Sequence, residues 1–284
     1  MKLRIPLALF ALPLVAAGAQ PPGSVPPSDM VRASAQPTYA DLADLALPAP
    51  VVAHVRMRRA IPLKPEESPG LAPGFTRFYI ESEILALIRG APGMPTEIRY
   101  LIDLPNDPNG RRARPERRGE WLIFARTVPG RPDELQLIAP DGRLPYAPAT
   151  ADRVRANLRE GLASDAPPAI TGIGRAFHVP GVLPGASETQ IFLLTAANQP
   201  ISLTVRRQPQ LQPQWFVSLS EFVDSGATQP APDSLLWYRL ACFLPPELPA
   251  ASFSEAPQHA EAIRADYRLI RQGLGPCPRL RTAR

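Results

Sequence analysis

FTRFYIESEILALIRG, residues 75–90, places Phe78, Ile80, Ile84, Ala86 and Ile88 on one side and Tyr79, Glu81, Glu83, Leu85 and Leu87 on the other. EIRYLIDLP (97–105) follows with Ile98, Tyr100, Ile102 and Leu104 set against Arg99, Leu101 and Asp103. GEWLIFARTV (119–128) sets Trp121, Ile123 and Ala125 against Leu122, Phe124 and Arg126. A period of two marks strands with a buried face, and their β-branched and aromatic residues suit a pleated surface. Upstream, VVAHVRMRRAIPL (51–63) reads as a further strand, and downstream a short strand spans Glu134–Ile138 before a turn at Asp141-Gly142. Thr150 is the expected cap of a helix from about Ala151 to Glu160 that Gly161 ends.

The second half is also β-rich. ITGIGRAFHV, TQIFLLTA, ISLTVRR, WFVSLSEFV and SLLWYRLACFL are predicted strands, with a hairpin turn at Asn198-Gln199-Pro200. A helix is expected from about Ala256 to Gln272, with Ala260, Ile263, Tyr267, Ile270 and Leu274 as its apolar stripe. YADLADLALP (39–48) is expected to be a short helix with Leu42, Leu45 and Tyr39 facing one way. The fold class predicted is mainly β: an OB-like barrel closed by a helix over 39–164, then a β-rich domain with a C-terminal helix over 165–284. The high content of proline, 38 of 284 residues, argues against a largely helical chain.

The N-terminus has the form of a secretory signal. Lys2 and Arg4 precede IPLALFALPLVAA, and Ala17-Gly18-Ala19 offers a cleavage site before Gln20. This predicts a signal peptide over 1–19, a flexible proline-rich leader over 20–38, and a periplasmic or secreted protein; an uncleaved anchor is the other reading. Elsewhere no stretch is long and apolar enough to span a bilayer. Cleavage would lower the formal charge from +5 to +3, since Lys2 and Arg4 leave and no acid does. In an oxidising compartment Cys242 and Cys277 are expected to pair as a disulfide, pinning the C-terminal helix to the strand that ends at Cys242.

The most conspicuous polar feature is NDPNGRRARPERRGE (106–120). After the turn at Asp107–Gly110 come Arg111, Arg112, Arg114, Arg117 and Arg118, with Glu116 opposing them before Glu120. Guanidinium groups suit phosphates and carboxylates, so the run is a candidate contact for an anionic partner such as lipopolysaccharide phosphate, anionic lipid or acidic polysaccharide. A solvated connection between two strands is the other reading. The cluster holds no aromatic residue for base stacking, and no nucleic-acid partner is expected.

Catalytic patterns are scarce. His54, His178 and His259 have no second histidine or cysteine at metal-ligand spacing, so neither a metal nor a cofactor is expected. Gly-x-Ser-x-Gly is missing; the nearest hydrolytic group is Ser187 and Glu188 with His178 nine residues before the serine. Gly172 and Gly174 suit a bulged strand better than a phosphate loop. Glu81 with Glu83 and Glu221 with Asp224 are carboxylate pairs that solvent-facing positions explain. The reading that follows is a non-catalytic envelope binding module, with a hydrolase using the second half and a structural subunit of an envelope assembly as alternatives.

The order of strands over 50–162, the Arg89-Gly90 pair ending the long strand and Gly119-Glu120-Trp121-Leu122-Ile123-Phe124-Ala125 together resemble the netrin-module and metalloproteinase-inhibitor type of OB barrel. Those inhibitors act through an N-terminal cysteine in a disulfide ridge; this half has no cysteine, so protease inhibition is not implied. The whole chain also resembles exported proteins of alphaproteobacterial type that carry no assigned activity, through ITGIGRAFHVPG (170–181) and LLWYRLAC (235–242). That resemblance implies a compartment alone.

Overall fold

The computed structural model describes residues 36–219, 227–254 and 257–281, all within one compact unit, Gln36–Arg284. The expected signal peptide and nearly all of the leader lie outside the described residues, as does the Glu221–Asp224 pair.

Helix α1 (Tyr39–Ala46) comes first, then strands β1 (Val51–Pro62), β2 (Phe75–Arg89), β3 (Glu97–Pro105), β4 (Glu120–Val128), β5 (Arg131–Leu137) and β6 (Arg143–Pro145), and helix α2 (Pro148–Leu162). The strand order is β1-β2-β3-β5-β4, and β4 pairs back onto β1 from Val51↔Ala125 to Arg56↔Glu120, which closes a five-stranded barrel. β3 and β5 run parallel and meet at Arg99↔Glu134 and Tyr100↔Leu135; β6 extends the sheet beside the first half of β4. The alternating residues point as their period requires, except that a slip in the β1–β2 register turns Ile88, expected on the side of Phe78 and Ile80, to the outer core. Val51, Ala53, Val55, Phe78, Ile80, Ile98, Tyr100, Ile102, Ile123 and Ala125 fill the barrel. The opposite side of β4 is also buried, because Leu122 and Phe124 pack with Val52 beneath Leu42 and Leu45 of α1 and Val154 and Leu158 of α2. Each such side chain contributes about 1.5–3 kcal/mol by leaving water.

The second half forms β7 (Ile170–Pro180), β8 (Ser187–Thr195), β9 (Ile201–Arg207) and β10 (Gln214–Ser218), an antiparallel sheet ordered β10-β9-β8-β7. One face, with Ile191, Leu203, Val205 and Trp215, packs on helices α3 (Leu235–Ala241) and α4 (Ala260–Leu274). The expected β-rich class, with a closed barrel, a second sheet and a C-terminal helix, is the architecture found.

Helix α1 joins the two layers. Leu42, Leu45 and Ala46 belong to the barrel-side core, while Tyr39, Ala40 and Ala43 belong to the core of the second sheet. Tyr39 therefore does not share a face with Leu42 and Leu45 as expected; a helix buried all round has no single stripe. Thr38 starts it with a reciprocal capping box, its Oγ1 accepting from the Asp41 amide while the Asp41 carboxylate accepts from the Thr38 amide.

Three further local expectations are corrected. SLLWYRLACFL is not a strand: Ser234 caps α3, and its apolar residues are buried on most sides, so the run carried no period to read. Helix α2 begins earlier than expected, with Ala147 rather than Thr150 at the cap and Pro148 opening the first turn, where its missing N–H costs nothing. Gly161 does not end α2, which runs on to Leu162, whereas Gly275, at φ +71°, does end α4. The glycine reading of β7 holds: its register slips between Ile170 and Gly172 and again between Ile173 and Ala176.

Candidate functional site

The arginine run is the connection from β3 to β4 and lies across one end of the barrel. Its start is fixed where the Asn106 amide donates to the Gly74 carbonyl (2.7 Å) and the Thr76 hydroxyl donates to Asn106 Oδ1 (2.7 Å). Its end is fixed where the Met57 amide donates to the Gly119 carbonyl (3.0 Å). Between these anchors Asp107 Oδ1 accepts from the amides of Asn109 and Arg111, and Ala113 packs on the barrel core. The loop is thus tied at both ends and at its middle.

Arg111, Arg112, Arg114, Arg117 and Arg118 are all exposed, and among the described residues none of the five has a hydrogen bond or ion pair through its guanidinium. Of the three nearby acids, Asp107 and Glu120 are engaged elsewhere. Asp107 holds the turn amides. Glu116 lies in the electrostatic field of Arg143, whose guanidinium stacks 3.7 Å from the centre of the Trp121 ring. Burial pushes the Arg143 guanidinium down, against the opposing pull of Tyr100 and Glu116. Glu120 accepts from Arg56 (2.8 Å) and lies 2.9 Å from His54 Nε2, and these two, Arg56 foremost, hold its carboxyl below the usual range. His54 in turn stacks on Tyr146, ring centres 3.5 Å apart. Five cations therefore project from a fixed loop, none of them ion-paired among the described residues.

Arg118 adopts φ +61°, a left-handed conformation that a side chain disfavours, immediately before Gly119. A Cβ at Gly119 would lie 2.9 Å from Trp121 Nε1, so a side chain there would have to displace the ring on which Arg143 stacks.

The sequence candidates in the second half separate. His178 pairs in register with Thr189, and its Nδ1 lies 2.8 Å from Thr189 Oγ1. Glu188 pairs with Val179, on the other face, where it accepts from Arg206 Nε (2.9 Å). Ser187 and Glu188 line an open groove of about 650 Å³ with Phe177, Val179 and Arg206, and His178 is not among its lining residues. The three hydrolytic candidates do not meet. The partners His178 does have, Thr189 and through it Asp266, had no sequence signal; Asp266 is 1% exposed, on α4.

Glu83 is ion-paired with Arg58, and Glu81 sits opposite Arg59 and Arg99 in the sheet, which accounts for that carboxylate pair. Cys242 and Cys277 are bonded, as expected, although Cys242 ends helix α3 rather than a strand. Among the described residues no helix is long and apolar enough to cross a membrane, and no group of three or more His, Cys, Asp or Glu side chains is placed to hold a metal.

No protein-family model matches the chain, and no curated protein matches its sequence.

Proposed function

We propose that the chain is an exported, non-catalytic binding module of the bacterial envelope, periplasmic or secreted, that contacts an anionic partner through Arg111, Arg112, Arg114, Arg117 and Arg118. One observation carries the reading: five exposed guanidinium groups stand on one anchored loop, and none of them is ion-paired among the described residues. An anchored array loses less freedom on binding than a floppy one, and guanidinium forks match phosphate and carboxylate oxygens. The test is binding to vesicles of anionic lipid and of lipopolysaccharide across a salt series, beside a variant with all five arginines changed to alanine. Binding that weakens with salt and is lost in the variant is expected. Equal binding by both proteins would refute the loop's role.

A second reading, a subunit of an envelope assembly, draws on an apolar end of the second sheet. Val179 (63% exposed), Val182 (102%) and Leu183 (62%) surround the β7–β8 turn, and Leu211 (62%) lies on the β9–β10 connection at the same end. Changing Val182 and Leu183 to Asp would then abolish self-association or capture of a partner, as read by sedimentation; association unaffected by both changes would dismiss it.

A further inference from the structure

Folding brings together two histidines that are far apart in sequence. His178 lies near the end of β7, and His259 directly precedes α4; their ring centres are 5.2 Å apart, with the planes tilted by 43°. Both residues are partly exposed.

The hydrogen bonds behind His178 fix which of its nitrogens is free. Thr189, fully buried, donates its only hydroxyl proton to Asp266 Oδ2 at 2.5 Å. Its oxygen can therefore only accept from His178 Nδ1, 2.8 Å away, so Nδ1 carries the hydrogen. Asp266 is held as acceptor by Arg207, whose Nε and Nη2 donate to Oδ1 at 2.8 and 2.5 Å. This leaves the lone pair of His178 Nε2 directed away from Thr189. His259 makes no hydrogen bond among the described residues.

An imidazole whose far nitrogen is tied through a hydroxyl to a buried carboxylate has the outer-shell support that metal-ligating histidines use, and nitrogen–metal bonds of about 2.0–2.1 Å fit two rings at this spacing. We propose that His178 and His259 form a two-imidazole site for a late first-row divalent ion, Cu²⁺ foremost and Ni²⁺ or Zn²⁺ behind it, with water completing the coordination. Imidazole nitrogens do not select hard cations, so Mg²⁺ and Ca²⁺ are not ligands here. Since no third side chain joins among the described residues, the site suits an exchangeable ion rather than a structural one. Thr189, Asp266 and Arg207 are positioning residues, and the site is independent of the arginine loop.

The experiment is titration of the untagged, disulfide-intact chain with Cu²⁺, followed by calorimetry and electron paramagnetic resonance. Binding that saturates at one ion per chain, with a nitrogen pattern from two imidazoles, is expected. His178→Ala and His259→Ala should each weaken it by about tenfold or more and leave the pattern of one imidazole. Thr189→Val should weaken it by about 10–100-fold, and Thr189→Ser, which keeps the hydroxyl, should restore it; circular dichroism establishes that each variant is folded. Cu²⁺ affinity unchanged in folded His259→Ala, or a spectrum without two protein imidazoles in the parent chain, would overturn the assignment.

Discussion

The backbone amide of Leu280 donates to the carboxylate of Asp41, 3.1 Å from both of its oxygens, and that carboxylate is fully buried. The amide of Arg281 adds a further bond, while the guanidinium groups of Arg279 and Arg281 pair with Asp44 and Asp141. The C-terminal tail thus straps the helix that both sheets pack on, and the Cys242–Cys277 bond holds the tail in place.

Asp41→Ala should destabilise the fold by about 1–3 kcal/mol, because it removes half of the capping box and leaves the amides of Thr38, Leu280 and Arg281 without their acceptor. Urea denaturation followed by circular dichroism measures this; a loss no greater than that of an ordinary surface substitution would dismiss the strap.

Breaking the disulfide, by reductant or by Cys277→Ser, should cost about 3–4 kcal/mol in the loop-entropy model for cysteines 35 residues apart. If the bond and Asp41 hold the same tail, Asp41→Ala should cost less in the reduced protein than in the oxidised one. Strictly additive losses would mean that the two act separately.

Acid should loosen the strap. Burial pushes the Asp44 carboxyl up, but hydrogen bonds from Arg279 and Tyr238 outweigh it and hold the group below its ordinary value of 3.8. A depressed folded value means that the stabilisation is complete above about pH 4 and is lost as pH falls through the folded value. Thermal melts of Asp44→Asn against the parent should converge as the pH drops; a constant difference down to pH 2 would contradict this linkage.

Gly273→Ala sets helix propensity against packing. Alanine would favour the helix by about 1 kcal/mol, yet its Cβ would lie 2.4 Å from Trp215 Nε1 in the core of the second sheet. Overpacking of this kind costs about 1–3 kcal/mol, so a net loss of stability is expected in thermal melts.

Arg118→Gly should raise stability by about 0.5–1 kcal/mol, as relief of the left-handed strain exceeds the added freedom of the unfolded chain. Arg118→Ala keeps the strain and should bring no such gain. Both should weaken anion binding equally, which separates the charge from the backbone.

The barrel was legible because its strands alternate cleanly: Ile98, Tyr100 and Ile102 point inward and Arg99 and Leu101 do not. Helix α3 was not, because Leu235, Trp237, Tyr238 and Leu240 are all buried and leave no polar face to mark a period. The arginine loop could be found by composition, but its anchoring through Asn106, Ala113 and Gly119 depends on contacts with distant strands. The meeting of His178 with Thr189, Asp266 and His259 was invisible for the same reason, since register and helix docking create it and no local spacing records it.

Arginine footprinting tests the loop itself: the protein is labelled with a guanidinium-specific reagent, with and without lipopolysaccharide vesicles, and read by mass spectrometry. Arg111, Arg112, Arg114, Arg117 and Arg118 should become protected on binding, while the exposed Arg126, on a barrel strand, should not. Bound protein whose five loop arginines label as fast as in the free chain would contradict this role of the loop.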